Sequence, residues 1–228
     1  MSEDAFRIPR QKMMEEIAAE AALTAGHTGR AAFSERVMRA IAGVPRHEFV
    51  PVELQPYAYL NRPLPIGYEK TVSQPFIVAL MTDLIEPGAG DTVLEIGAGA
   101  GYQAAVLAGL ARRVYTMDII EELARSAERR LQRLGYGNVE VRVANGYYGW
   151  PEHAPYDRIV VTAAADLIPP PLLAQLKPGG RMAIPTGMPD QQSLVLVEKS
   201  ASGRLSTRDI LPVRFSQMED PGEMAGAA

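Results

Sequence analysis

The chain runs to 228 residues, 47% of them hydrophobic and 22% charged, the make-up of an ordinary globular domain with material for a core. A net charge of −4 leaves no overall basic field to attract nucleic acid or anionic lipid, and no apolar run approaches the roughly 20 residues that span a bilayer. The acidic start, Met1-Ser2-Glu3-Asp4, is unlike a signal peptide, and the absence of cysteine removes disulfides, thiolate metal sites and a cysteine nucleophile together. A single cytoplasmic domain is the expectation.

Residues 7–23 place Ile8, Met13, Met14, Ile17, Ala18, Ala21 and Ala22 at helical spacing between charges. A second helix is expected over 32–41, with Phe33, Val37, Met38 and Ile41 on one face and Pro45 to end it. From Phe49 to Ser73 the chain is crowded with proline, tyrosine and glycine. It reads as a long ordered loop of the kind that carries function on a rigid scaffold. Pro75 then opens a helix to about Ile85, at a position where its missing N–H costs nothing. Beyond Pro87-Gly88 strands and helices alternate. Strands are expected at 92–96, 113–117, 139–143 and 158–162, and helices at 102–111, 121–134 and 170–176. A turn at 177–180 leads into a strand at 181–184. That order implies βαβ units, a parallel sheet and right-handed crossovers. Two further runs, 193–197 and 210–215, flank the Gly203 turn as a terminal antiparallel pair, and the small, polar tail 219–228 is expected to fray.

The sharpest local signal is Val93-Leu-Glu-Ile-Gly-Ala-Gly-Ala-Gly101, set between an expected strand and an expected helix. A glycine loop there brings backbone N–H groups close to a ligand. A dinucleotide site wants Gly-x-Gly-x-x-Gly, whose last glycine would stand at 102, but this chain has Tyr102. Its run is Gly97-x-Gly99-x-Gly101, preceded by Glu95. Charge separates the candidate ligands. A pyrophosphate favours N–H donors without carboxylates nearby, whereas S-adenosylmethionine carries a sulfonium and an ammonium that a carboxylate attracts in a partly desolvated cleft. Asp118, at the end of the second strand, stands where an acid holds ribose hydroxyls. A bare packing turn is the competing reading, and Glu95 before the loop with Asp118 after it weigh against that.

Several stretches beyond the loop resemble the protein-L-isoaspartate O-methyltransferase family. They are Val44-Pro-Arg-His-Glu-Phe-Val-Pro51, Thr71-Val-Ser-Gln-Pro-Phe-Ile-Val-Ala79 and Leu94-Glu-Ile-Gly-Ala-Gly-Ala-Gly-Tyr-Gln103. Gly149-Trp-Pro-Glu-His-Ala-Pro-Tyr-Asp157, Val161-Thr-Ala-Ala-Ala165 and Gln175-Leu-Lys-Pro-Gly-Gly180 continue the match, which covers about nine-tenths of the chain in the family's order. The resemblance implies a Rossmann-like, S-adenosylmethionine-dependent methyltransferase of the α/β class. Its sheet would be doubly wound and seven-stranded, with N-terminal helices and a C-terminal antiparallel pair. The single domain then divides into N-terminal helices and a substrate and cofactor loop (1–75), a cofactor-binding core (76–190), C-terminal strands (191–218) and a tail.

The implied reaction moves a methyl group from S-adenosylmethionine, leaving S-adenosylhomocysteine, to the free α-carboxylate of isoaspartyl residues in damaged proteins and peptides. Such residues form when asparagine or aspartate cyclises to a succinimide that reopens the wrong way, and the ester re-cyclises towards repair. By the same resemblance Ser73 matches the catalytic serine, and Lys70, Thr71, Val72 and Ser73 lie against cofactor and substrate. Glu95, Gly97, Ala98, Gly99 and Gly101 match the cofactor loop, Asp118 the ribose position and Asn145-Gly146 the adenine position. Two departures stand out. Asn145 replaces the usual aspartate, which predicts weaker cofactor affinity because an amide offers one acceptor oxygen rather than two. Glu69-Lys70 replaces the frequent Gly-Gln and puts a charge pair at the substrate entrance.

A carboxylate, with a reference pKa of about 3.9, is already an anionic nucleophile at neutral pH, so no general base is required. The Ser73 hydroxyl is expected to orient it, and capping the helix at Pro75 is a compatible second role. His27, His47 and His153 lack metal-ligand spacing, so no metal is expected. His47 should pack beside Arg46, Trp150 should pack rather than stack on adenine, and the Arg125, Arg129, Arg130, Arg133 face should be solvated. Isoaspartyl proteins are the expected partners, met by a monomer. The main rival is an O-methyltransferase of the same fold acting on a dedicated peptide or small-molecule carboxylate, which Asn145 and Glu69-Lys70 keep open. A non-enzymatic recognition subunit and a nicotinamide dehydrogenase stand further off.

Overall fold

The N-terminal part of the computed structural model, which describes residues 3–219, is helical. Helix α1 (Arg7–Thr28) outruns its expected end because Gly29, at φ 70°, closes it with an N–H bond to Ala25 O. Its buried stripe is Met13, Ile17, Ala21 and Thr28, while Ile8 faces solvent. Helix α2 (Glu35–Gly43) is capped by Ser34, whose hydroxyl accepts from the Val37 N–H at 3.4 Å.

The stretch expected to be one long loop contains a hairpin. Two 3-10 turns, Arg46–Phe49 and Val52–Tyr57, lead to strands β1 (Leu64–Gly67) and β2 (Lys70–Val72), paired antiparallel. Their turn carries Tyr68 and Glu69 at φ 53° and 55°. Successive left-handed residues favour Asn-Gly in such turns, and without that signal the hairpin was not legible.

From there the chain follows the expected alternation: α3 (Pro75–Ile85), β3 (Thr92–Ile96), α4 (Tyr102–Ala108), β4 (Arg113–Asp118), α5 (Glu121–Arg133) and β5 (Val139–Val143). It continues with β6 (Tyr156–Val161), α6 (Pro170–Gln175), β7 (Leu176–Met188), β8 (Gln191–Lys199) and β9 (Leu205–Val213). One seven-stranded sheet results, in the order β5-β4-β3-β6-β7-β8-β9. Its first five strands run parallel, and β8 and β9 are antiparallel to their neighbours. The expected terminal pair is therefore present and longer than expected.

Period-two alternation buries both faces. Val93, Val160, Ala183, Leu194 and Leu196 join the core under α1 to α5, while Leu94, Ile96, Ile159, Val161, Met182, Ile184 and Val195 join the core under α6. The alternation read at 139–143 has a weaker consequence at the sheet edge: all five residues of β5 are half-buried, and Val139 and Val141 pack against the first core. The turn expected at 177–180 lies inside β7, as a slip in its register against β6 between Tyr156↔Leu176 and Arg158↔Arg181. Helix α4 stops at Ala108, short of the expected Ala111, where Gly109 follows. Of the expected frayed tail, residues 220–228 lie outside the described residues. Among the described residues no helix is long and apolar enough to cross a membrane.

The site follows from topology. Strand order reverses at β3, with β4 on one side and β6 on the other, and in open parallel sheets ligands bind outside the carboxyl ends at such a reversal.

Candidate active site

A cleft of about 940 Å³ opens there, closed off by α1, the β1–β2 hairpin and the chain after β9. It is lined by Lys70, Thr71, Val72, Ser73, Glu95, Gly97, Ala98, Gly99, Asp118, Asn145 and Gly146, as expected, but not by Gly101. Gly101 opens α4 at φ 87°, and a Cβ there would stand 3.2 Å from Leu131 Cδ1. Its glycine serves the packing of α4 on α5.

The loop does not present its amides to a ligand as expected. The Gly97 and Ala98 N–H groups both donate to Met117 O, at 2.8 and 2.9 Å, and the Gly101 N–H donates to Ala98 O at 2.7 Å. The Gly99 N–H donates to Asp118 Oδ2 at 2.8 Å. These donors are used by the fold itself, so an incoming pyrophosphate would meet carboxylates and few free N–H groups. Gly97, at φ 92°, has no room for a side chain, since a Cβ would collide with Thr162 Oγ1.

What the loop offers instead is negative charge. Glu95 is fully buried, and neither carboxylate oxygen has a hydrogen-bond partner among the described residues. Burial pushes its carboxyl up to about 8, and the charge of Asp118 adds to this, while Thr116 on the neighbouring strand offsets part. An unpartnered carboxyl in a dry interior is costly, and a cationic ligand group would relieve it. Asp118 accepts from Gly99 and, through Oδ1, from the Ile120 N–H at 3.0 Å. A carboxylate has about four lone-pair sites, so acceptor capacity remains for hydroxyls. Asn145 has less to give. Its Oδ1 already accepts from the Tyr147 N–H at 2.9 Å, and its amide donates to Glu219 O at 3.3 Å.

Ser73 ends the hairpin half-buried, and its hydroxyl makes no hydrogen bond among the described residues. The expected capping role is absent: Gln74 precedes α3 without a side-chain cap, and Asn61 Oδ1 takes the Phe76 N–H at 2.9 Å. The hydroxyl is thereby left for a ligand.

The family model described as Protein-L-isoaspartate(D-aspartate) O-methyltransferase matches residues 19–221. The chain belongs to this family. A Polaromonas protein named protein-L-isoaspartate O-methyltransferase 1 is 60% identical over 96% of this chain and 93% of its own length. A namesake from Cupriavidus necator is 62% identical over 94% of this chain and 83% of its own. Among solved structures, a protein-L-isoaspartate O-methyltransferase superposes with a TM-score of 0.78 at 30% identity, covering 92% of this chain. This chain spans 66% of that one, just under two thirds. A Plasmodium falciparum structure in complex with S-adenosyl-L-homocysteine shares the fold, at a TM-score of 0.76 and 19% identity over 92% of this chain and 98% of that one. The fold is thus the Rossmann-like methyltransferase sheet.

For this isoaspartate methyltransferase family member, sequence reasoning missed the supports of the acceptor side. Arg46 is completely buried. Its Nη2 donates to Ser73 O at 2.7 Å and Arg62 O at 3.5 Å, its Nε donates to Ala58 O at 2.9 Å, and its guanidinium sits 4.5 Å from the Tyr102 ring centre. Burial lowers its pKa, with Tyr102 opposing. The Pro-Arg-His stretch flagged its segment but not its task. Glu20 on α1 also lines the cleft, accepting from Asn61 Nδ2 at 2.7 Å and Gln74 Nε2 at 3.0 Å. No local signal reveals a partner so distant in the chain.

The remaining expectations divide. His47 packs as expected, stacked on Phe6 at 4.0 Å with Nδ1 2.9 Å from Tyr59 Oη. Trp150 packs in the second core against Tyr115. The arginine face of α5 is only partly a solvated one: Arg125 pairs with Glu121 and Glu128, but Arg130 is half-buried and donates to Ala100 O at 2.8 Å. Among the described residues no group of three potential ligands could hold a metal ion.

Proposed function

We propose that this protein transfers the methyl group of S-adenosylmethionine to the free α-carboxylate of isoaspartyl residues in proteins and peptides, the step that starts their repair. The carrying observation is one cleft lined both by an unpartnered buried Glu95 and by Ser73, whose hydroxyl is unengaged among the described residues. Family membership supports the reading throughout. In it the protein works as a monomer in the cytoplasm, with no nucleic-acid or membrane partner.

When bound, the cofactor supplies an electrophilic methyl group carried on a sulfonium. Glu95 would face its positive charge, Gly97, Ala98 and Gly99 its path along the loop, Asp118 the ribose hydroxyls and Asn145 the adenine amino group. Lys70 to Val72 would wall the junction with the substrate. Ser73 donates its hydroxyl hydrogen to the substrate carboxylate and fixes which oxygen faces the methyl carbon. The nucleophile is ionised before it binds, so what the chain contributes is alignment and the exclusion of water.

Labelled methyl transfer to one peptide in isoaspartyl and normal aspartyl forms tests this, with transfer expected to the first alone. Ser73→Ala should lower turnover at saturating cofactor by about 10- to 100-fold, the worth of one hydrogen bond to a charged group. Full turnover in that variant removes Ser73 from the mechanism. Methylation of neither peptide, with cofactor bound, favours a different carboxylate as acceptor.

A further inference from the structure

We infer that Lys70 selects isoaspartyl peptides carrying a second negative charge beside the isoaspartyl residue, an inference that rests on the function proposed above. Lys70 opens β2, is half-buried and lines the cleft. Among the described residues its ammonium makes no ion pair and no hydrogen bond. Its neighbour Glu69 also lines the cleft, exposed in the left-handed turn at φ 55°, and the two make no ion pair among the described residues.

The other charges of the cleft leave Lys70 without a counter-ion. Glu20 is held by Asn61 and Gln74, Asp118 accepts from two backbone N–H groups, and Glu95 is fully buried. Glu219 is exposed after β9, where Arg214 is a second exposed cation in no ion pair among the described residues. Lys70 and Arg214 are thus the two cations of a cleft whose carboxylates are held, buried or turned to solvent.

Position decides which anion it meets. Lys70 adjoins the exposed turn and Ser73 lies three residues further in, about 10 Å along an extended strand. A carboxylate held by the Ser73 hydroxyl is thus within the length of about three extended residues of Lys70, a span that the side chains flanking it on the peptide can bridge. A partly exposed ion pair of this kind changes affinity by about two- to fivefold and weakens with salt.

The test compares kcat/KM for isoaspartyl peptides with Glu or Gln at the positions on either side of the isoaspartyl residue, in wild type, Lys70→Gln and Lys70→Glu. Each enzyme is scored by its own Glu-to-Gln ratio, so loss of overall activity in a variant does not affect the comparison. The expected ratio is about two to five in wild type, close to one in Lys70→Gln and below one in Lys70→Glu, with the wild-type preference shrinking in high salt. A wild-type ratio of one, or a preference that survives Lys70→Gln, overturns the inference while leaving the activity in place. Failure of wild type to methylate any isoaspartyl peptide overturns the proposed function, and this inference with it.

Discussion

The two walls of the cleft are built on opposite plans. The cofactor wall is sheet core: Glu95 and Ile96 are buried in β3, and the loop after them bonds to Met117 and Asp118 of the neighbouring strand. Its backbone donors at Gly97, Ala98 and Gly99 are satisfied, and the Glu95 carboxyl is not. The acceptor wall is a short hairpin with two non-glycine residues in left-handed conformation, tied back by one buried guanidinium and carrying the cation Lys70. In the proposed function, a ligand that never varies is met by buried sheet core, and one that differs with every substrate is met by irregular chain on a few buried anchors.

Removing the anchor should break the contrast most. Arg46→Met strands the carbonyls of Ala58, Arg62 and Ser73, each costing about 1–3 kcal/mol if left dry. The expected result is about 3 kcal/mol of lost stability in denaturant unfolding. Turnover should fall further than cofactor affinity, with partial recovery in Arg46→Lys. Equal losses in cofactor affinity and turnover would mean that the walls are not separable.

The cofactor wall is probed through Glu95. A cationic ligand favours its ionised form, so below about 8 the free site carries a proton that must leave on binding. Cofactor affinity should therefore rise with pH, by up to about tenfold per unit between about pH 6 and 8. Titration calorimetry in buffers of different ionisation heat would register the released proton, and Glu95→Gln should flatten the profile. For the cofactor-free protein the sign is opposite. A carboxyl raised from 4.5 to about 8 stabilises the fold fully below the lower value, and that contribution is lost as pH rises through the upper one. Thermal midpoints of wild type and Glu95→Gln should diverge accordingly.

Smaller effects sharpen the picture. Asn145→Asp keeps the acceptor that caps Tyr147 and converts the donating amide into a second acceptor, so cofactor should bind about fivefold more tightly, one hydrogen bond's worth. Glu69→Gly relieves a left-handed residue and should add about 1 kcal/mol to stability without altering cofactor affinity.

The difference between the walls also explains what could be read from the amino-acid order. Glu95, the glycines and Asp118 announce themselves because a βαβ unit imposes spacing on neighbours in the chain. Strand β3 falls on its expected boundaries for the same reason, and helix α3 does so because Pro75 and Pro87-Gly88 punctuate it. The acceptor wall is a long-range construction. Asn61 reaches Phe76, Glu20 reaches Asn61 and Gln74, and Arg46 reaches Ser73, through bonds that leave no periodic trace. The hairpin stayed hidden because Tyr68-Glu69 lacks turn chemistry. Gly101 was misplaced because spacing alone does not distinguish a glycine facing a ligand from one facing Leu131.

The pair Asn145-Gly146 has a further consequence for how this protein ages. Gly146 has no side chain because Ile96 leaves it no room, and a bare glycine nitrogen is the least hindered neighbour for ring closure by the preceding asparagine. The protein thus carries, inside its own cleft, the kind of dipeptide from which the lesions of its proposed substrates arise. Both ends of the Asn145 amide are tethered, to the Tyr147 N–H and to Glu219 O, and closure must first break those tethers. The bonds that leave Asn145 little capacity for a ligand are thus the same ones that oppose its spontaneous decay.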